Sequence, residues 1–192
     1  PRGGVPVGLE IARVLKAPLE LVLVRKIGLP REPEIAAAAV VDGGEAEFVY
    51  NRDVMRAARL TEADLRDAAA EELAEIERRR SLYVGERKRE PLEDRTLIVV
   101  DDGIATGATV RAALVALKRK RPRRLVVAVP VGPPDAMDDL RREVDDVVCL
   151  EAPEPFYAVG PNYRDFHQVS DDEVIEALSE AARPTDEHSA QR

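Results

Sequence analysis

The chain has 192 residues, 45% hydrophobic and 34% charged, with 29 Lys plus Arg against 37 Asp plus Glu for a net charge of −8; that is enough to bury a real core, and we expect one soluble domain over 1–182 followed by a polar tail at 183–192. One cysteine, Cys149, and two histidines, His167 and His188, exclude an internal disulfide and a four-ligand zinc site. No run reaches the ~18 to 20 apolar residues of a membrane span and no basic-then-apolar leader opens the chain, so a cytoplasmic protein with no membrane partner is expected, and the acidic balance argues against a non-specific nucleic-acid partner.

In chain order, residue 1 is Pro rather than Met and stands directly before Arg2-Gly3-Gly4, a loop motif that belongs after a buried strand. An upstream strand and helix are therefore expected. A helix over 7–16 precedes a strand over 19–24, and strands over 35–41 and 46–50 form a hairpin across Asp42-Gly43-Gly44. Thr61 with Asp64 opens a helix over 62–80 as a capping-box variant. A strand over 96–100, a helix over 109–120 stopped by Pro122, a strand over 125–131 and a helix over 135–143 after Pro133-Pro134 follow. The series closes with a strand over 147–150 and a helix over 171–182, where Ser170 and Glu173 make a second capping box. Short β-branched runs alternating with helical patterns predict the α/β class, with a Rossmann-like, mostly parallel central sheet flanked by helices.

The stretch from Leu97 to Thr109 is the most informative. A fully apolar strand ends in Asp101-Asp102 and turns through Gly103, Ile104, Ala105, Thr106, Gly107 and Ala108 into a helix at Thr109. Parallel sheets bind ligands at the carboxyl ends of their strands, and a helix entry of small residues exposes amides to a phosphate, with Thr106 and Thr109 adding hydroxyls. Two adjacent carboxylates would repel that phosphate if they faced it, so they should face hydrogen-bond donors such as a vicinal diol. Phosphate on one side and diol on the other describe a ribose 5-phosphate. The bland alternatives are a polar turn or the magnesium site of a phosphate-receiving domain, and neither accounts for the Thr-Gly-x-Thr helix entry. Gly4 and Gly8 do not make a dinucleotide fingerprint, because the Gly-x-Gly-x-x-Gly spacing is absent.

These residues resemble the phosphoribosyl diphosphate (PRPP) loop of the type I phosphoribosyltransferases, and over nearly the whole chain the order of motifs looks closest to the subgroup known as predicted phosphoribosyltransferases. The resemblance implies a phosphoribosyltransferase fold with a small hood or flap. It implies a 5′-phosphate site at Gly103, Ile104, Ala105, Thr106, Gly107, Ala108 and Thr109, and catalytic roles for Asp101 and Asp102. It also implies pyrophosphate contacts at Arg2, Gly3, Gly4, Arg25 and Lys26. The implied reaction is transfer of a phosphoribosyl group from PRPP to a nucleobase or other nitrogen acceptor, with Mg²⁺ held mainly through PRPP and by Asp101 and Asp102, in nucleotide salvage. Small-molecule substrates are the expected partners, and the oligomeric state, a homodimer among the options, stays open. A PRPP-binding regulator without catalysis and a phosphohydrolase are the competing functions. Ala105 stands where the hypoxanthine-guanine branch carries an acid, which makes a 6-oxopurine a less expected acceptor.

Several residues keep a bland reading beside the functional one. Arg25-Lys26 is either a diphosphate contact or an ordinary strand-end pair. The basic stretch 78–89 is either a lid that excludes water or a solvated helix end. The run 118–124 falls about 17 Å or more along its helix from the phosphate loop and reads as surface, with RNA contact as the lesser alternative. Phe156, Tyr157, Tyr163 and Phe166 gather over eleven positions, with Phe156 and Tyr157 as candidates for stacking on a base or, equally, as a plug over the sheet. Cys149 reads as core, and His167 as either a proton donor or a surface residue.

Overall fold

A computed structural model of the protein describes residues 2–29, 32–42, 46–85, 87 and 90–182. Pro1, the expected Gly43-Gly44 turn, Glu86, Lys88 and Arg89 of the basic stretch, and the tail with His188 lie outside the described residues. The elements are α1 (Gly4–Leu15), β1 (Leu23–Leu29), β2 (Glu32–Asp42), β3 (Ala46–Tyr50), α2 (Arg52–Ala58), α3 (Glu62–Ala68), α4 (Ala70–Tyr83), β4 (Thr96–Val100), α5 (Ala108–Arg119), β5 (Arg124–Val131), α6 (Pro134–Arg141), β6 (Asp146–Glu151) and α7 (Asp171–Ala181), with a 3-10 turn at Gly160–Asn162.

Among the described residues the strands form two three-stranded sheets. β4, β5 and β6 run parallel, with Val100 opposite Ala128 and Ala128 opposite Val148. Their odd-numbered face, Leu97, Val99, Leu125, Val127, Val129 and Val147, packs on Leu114 and Leu117 of α5 and on Met137 and Leu140 of α6. β1, β2 and β3 form an antiparallel meander whose core joins α1, α4 and α7 through Leu23, Ile27, Val40, Ile76 and Val174. α5 serves both sheets, because Ala112 and Ala116 meet Ala39 and Val41 of β2. Alanines on both sides allow that close approach. The fold is thus α/β with a parallel sheet flanked by helices, as expected.

Three details differ from the expectations. The first strand begins at Leu23 rather than residue 19, because ladder partners on β2 exist only for Leu23 to Leu29. Arg25 and Lys26 consequently lie inside β1 and leave on opposite faces, as successive strand residues must. The expected 62–80 helix is broken at Ala69, which is fully buried and lets Leu65 of α3 and Ile76 of α4 both reach the core. α2 was not anticipated; it buries only Met55, so it has no apolar periodicity to reveal it, although Asn51 caps it by accepting from the Val54 amide at 3.2 Å. No helix among the described residues is long and apolar enough to cross a membrane.

Both expected capping boxes form. At α7 the Glu173 carboxylate accepts from the Ser170 amide at 2.7 Å and contacts His167 Nε2 at 2.9 Å. The Ser170 amide, and then His167, hold the Glu173 carboxyl down at about 2, and Glu173 raises His167. A carboxyl depressed on folding stabilises above its unfolded value near 4.5 and loses that contribution as pH falls through about 2. The Glu173→Gln variant should therefore melt below the parent at pH 6, with the gap in Tm closing between about pH 4.5 and 2 in differential scanning calorimetry. A gap that stays constant across that range would show that the cap does not act through this charge.

Candidate functional site

β4 is apolar throughout and leads straight into Asp101 and Asp102, where the Asp102 amide donates to Asp101 Oδ1 at 3.0 Å. The loop beyond is fastened to the neighbouring strand, because the Ile104 amide donates to the Val131 carbonyl at 2.9 Å and the Ile104 side chain is buried among Leu114, Val129 and Met137. Ile104 therefore anchors the loop, leaving the exposed Ala105 and Thr106 at its surface. Gly107 takes a left-handed φ of +73° as the residue before α5, a conformation that a Cβ would strain. Past it, the first amides of α5 have no intrahelical acceptor and Thr109 is exposed beside them. This is a helix N-terminus open to an anion.

Arg111 organises the same loop, and no sequence pattern singles it out. Its Nη1 donates to the Thr106 carbonyl at 3.2 Å, while Nε reaches Glu143 at 2.9 Å and Nη2 reaches Asp139 at 3.2 Å. One guanidinium fork thus ties the backbone of the 103–109 loop to the end of α6.

The start of the chain meets the strand end from the other side. A Cβ placed on Gly3 would lie 1.9 Å from Asp102 Oδ2, and one on Gly4 would lie 2.8 Å from Asp101 Cα and 2.9 Å from the Val100 carbonyl oxygen. Only glycine permits this approach. Two helix N-termini, of α1 and α5, therefore flank one pair of carboxylates. A cleft of about 910 Å³ runs along the edge of β4 that β5 does not cover, and Arg2, Gly3, Gly4, Asp101, Asp102 and Thr109 line its end. Arg25 and Lys26 are not among its lining: Arg25 Nε is held by Glu72 of α4 at 2.6 Å, and Lys26 is exposed.

Burial, followed by the neighbouring Asp102 charge, pushes the Asp101 carboxyl above the usual range. Burial also raises Asp102, against hydrogen bonds that pull it down. Two partly desolvated acids side by side are poised to take cationic or hydrogen-bond-donating ligands.

The segment after β6 returns over this end of the sheet. The Val159 side chain packs so closely on Gly103 that a Cβ there would sit 2.6 Å from it, and Tyr163 Oη donates to the Asp102 carbonyl at 2.5 Å. Tyr163 and Phe166 rings lie 5.1 Å apart. Of the four clustered aromatics it is Tyr163 that touches the strand end; Phe156 is half-buried, and Tyr157 is 86% exposed.

The basic stretch 78–89 begins on α4, where Arg78 and Arg79 pair with Glu75 at 2.8 and 2.5 Å, and Arg87 Nη1 donates to the Leu178 carbonyl at 3.0 Å. The second basic run is surface, as expected, with Arg119 and Lys120 both on Glu47 and Arg124 on Asp146. Cys149 is half-buried against the parallel-sheet core, with Sγ donating to the Glu151 carbonyl at 3.2 Å. His167 is exposed and committed to Glu173 and Asp165.

Comparison with known proteins agrees with this geometry. Residues 1–164 match the family model described as a phosphoribosyl transferase domain. Two Mycobacterium tuberculosis proteins, from strains CDC 1551 and H37Rv, each named "Putative phosphoribosyl transferase", are 44% identical over 183 residues, which is 95% of this chain and 41% of theirs. The chain thus spans about two-fifths of the length of these relatives. The crystal structure of TT1426 from Thermus thermophilus superimposes with a TM-score of 0.81 at 41% identity, covering 95% of this chain and 86% of that one.

Proposed function

The chain belongs to the phosphoribosyl transferase domain family, and from that premise we propose that it moves the 5-phosphoribosyl group of PRPP to a nitrogen acceptor and releases pyrophosphate. The observation that carries this reading is the approach of Gly3 and Gly4 to Asp102 and Asp101, which sets a second helix N-terminus against the strand end that opens the 103–109 loop. One anion-binding helix start suits a phosphate. Two, separated by a pair of carboxylates, suit a sugar phosphorylated at both ends.

In this reading the amides from Ala105 onward and the hydroxyls of Thr106 and Thr109 hold the 5′-phosphate, and Asp101 and Asp102 accept hydrogen bonds from the ribose hydroxyls. Arg2 and the Gly3 and Gly4 amides face the diphosphate, while Arg25 and Lys26, outside the cleft lining, take no part in it. When the bond from the anomeric carbon to the diphosphate oxygen breaks, positive charge grows on the ribose ring and negative charge on the leaving group. The carboxylates of Asp101 and Asp102 favour the first and the Arg2 guanidinium the second. A nitrogen on the opposite face then forms the new bond to the anomeric carbon and releases its proton to water. Phe156 and Tyr157, on the segment that returns over the sheet, are the proposed stacking surfaces for a planar acceptor.

No group of three or more His, Cys, Asp or Glu among the described residues could hold a metal ion. Asp101 and Asp102, two adjacent half-buried carboxylates, would be the residues to hold a divalent cation that accompanies the substrate. When bound, Mg²⁺ supplies neutralising charge to the diphosphate. A cytoplasmic role in nucleotide salvage is the corresponding physiological reading.

The test is pyrophosphate release from PRPP with Mg²⁺ across purine, pyrimidine and simple amine acceptors, using the full-length protein. Release that requires one acceptor establishes the transferase and names its substrate. Release of phosphate from simple esters without an acceptor would replace the reading with a phosphohydrolase, and PRPP binding without release would replace it with a regulator.

A further inference from the structure

The guanidinium of Arg2 is held from a distant part of the chain. Its Nη1 donates to Asp171 Oδ1 at 3.1 Å, and the same oxygen accepts from Tyr83 Oη at 2.6 Å. Asp171 stands in the first turn of α7 and Tyr83 is the last residue of α4, 4% exposed in the core. Three elements thus converge on one carboxylate oxygen, one residue away from the contact of Gly3 with Asp102.

We infer that Asp171 is a positioning residue for Arg2, fixed in turn by Tyr83, and that the pair sets the plane in which Arg2 meets the diphosphate; this rests on the proposed function. An arginine fork carries five donors in one plane, so an anchor on one nitrogen orients the rest without consuming them. With Arg2 and Asp171 side chains 26% and 38% exposed, the ion pair contributes little to stability by itself. Its consequence is orientation. Both oxygen contacts come from groups with few alternatives: Tyr83 is buried, and Arg2 directly precedes Gly3, which packs closely on the Asp102 side chain. α4 repeats the arrangement at its other end, where Glu72 holds Arg25 Nε at 2.6 Å. Arg25 does not line the cleft, so of these two arginines it is Arg2 whose anchoring bears on the diphosphate.

The experiment is titration calorimetry of the full-length protein with PRPP plus Mg²⁺ and, separately, with ribose 5-phosphate, which lacks the diphosphate. Asp171→Ala should weaken PRPP binding about 10- to 100-fold, leave ribose 5-phosphate affinity unchanged and leave the Tm close to the parent's. Asp171→Glu should recover part of the loss, and Tyr83→Phe, which keeps the packed ring, should show a smaller loss of the same kind. Unchanged or tighter PRPP binding in Asp171→Ala overturns the inference, as does an equal loss for both ligands, which would mark a merely structural contact. A parent protein that binds ribose 5-phosphate but gains nothing from the diphosphate overturns it by another route, because the proposed function itself then fails.

Discussion

Replacing both strand-end acids, Asp101→Asn with Asp102→Asn, is expected to lower pyrophosphate release from PRPP by about 100-fold or more while raising the Tm at neutral pH. The loss follows from removing the two charges that favour the cationic ribose. The gain in stability follows from burial. Both carboxyls are shifted upward in the folded protein, so the fold holds their protons more tightly than the unfolded chain does. For an acid raised on folding, stability is fullest below its unfolded pKa near 3.9 and falls as pH rises through the folded value. As pH rises the parent bears a growing cost of ionising the two groups, and the asparagine variant does not. The Tm difference should therefore shrink as the pH is lowered toward about 4. An inactive variant that is also less stable at pH 7 would mean that the acids serve the scaffold rather than the ligand.

The second large effect is expected at Gly4. In Gly4→Ala the new methyl would meet Asp101 Cα at 2.8 Å and the Val100 carbonyl oxygen at 2.9 Å, both of them backbone atoms that cannot rotate away. Either α1 withdraws from β4 or the strand end shifts, at a cost of about 1–3 kcal/mol in chemical denaturation, and PRPP binding falls because the two helix starts no longer flank the acids. Gly8→Ala in the same helix is the matched control. There the methyl meets only the Leu19 Cδ1 atom at 3.1 Å, the end of a flexible side chain, and helix propensity improves by about 0.5–1 kcal/mol. That variant should be neutral or slightly stabilised with PRPP binding intact. Equal losses for the two variants would remove the special status given to Gly4.

Much of this site is legible in the order of the residues alone. An apolar run ending in Asp101-Asp102 and turning through Gly107 into a helix is a local pattern: strand, turn and helix start lie within thirteen positions, so sequence order and spatial order coincide. The capping boxes at Thr61 and Ser170 are legible for the same reason. What stays hidden is long-range. Arg2 and Asp171 are 169 positions apart, and nothing about either residue alone announces the other. Arg111 looks like any helix-surface arginine until α6 brings Asp139 and Glu143 to it. Arg25 and Lys26 read as a side-by-side pair beyond a strand end because an apolar run does not disclose its register, and only the pairing with β2 places them inside β1 on opposite faces. Among the aromatics, Phe156 and Tyr157 are the stacking candidates that the sequence offers, whereas the contact with Asp102 is made by Tyr163, whose position depends on how the segment after β6 folds back.

The most direct test of the central claim is equilibrium binding of PRPP with Mg²⁺ to the full-length protein, set against ribose 5-phosphate and against inorganic pyrophosphate alone. The account predicts one PRPP per chain, bound more tightly than either fragment, because the 103–109 loop holds one end of the ligand and Arg2, Gly3 and Gly4 hold the other. PRPP binding no tighter than that of ribose 5-phosphate, or left unchanged by Asp101→Asn with Asp102→Asn, would contradict it.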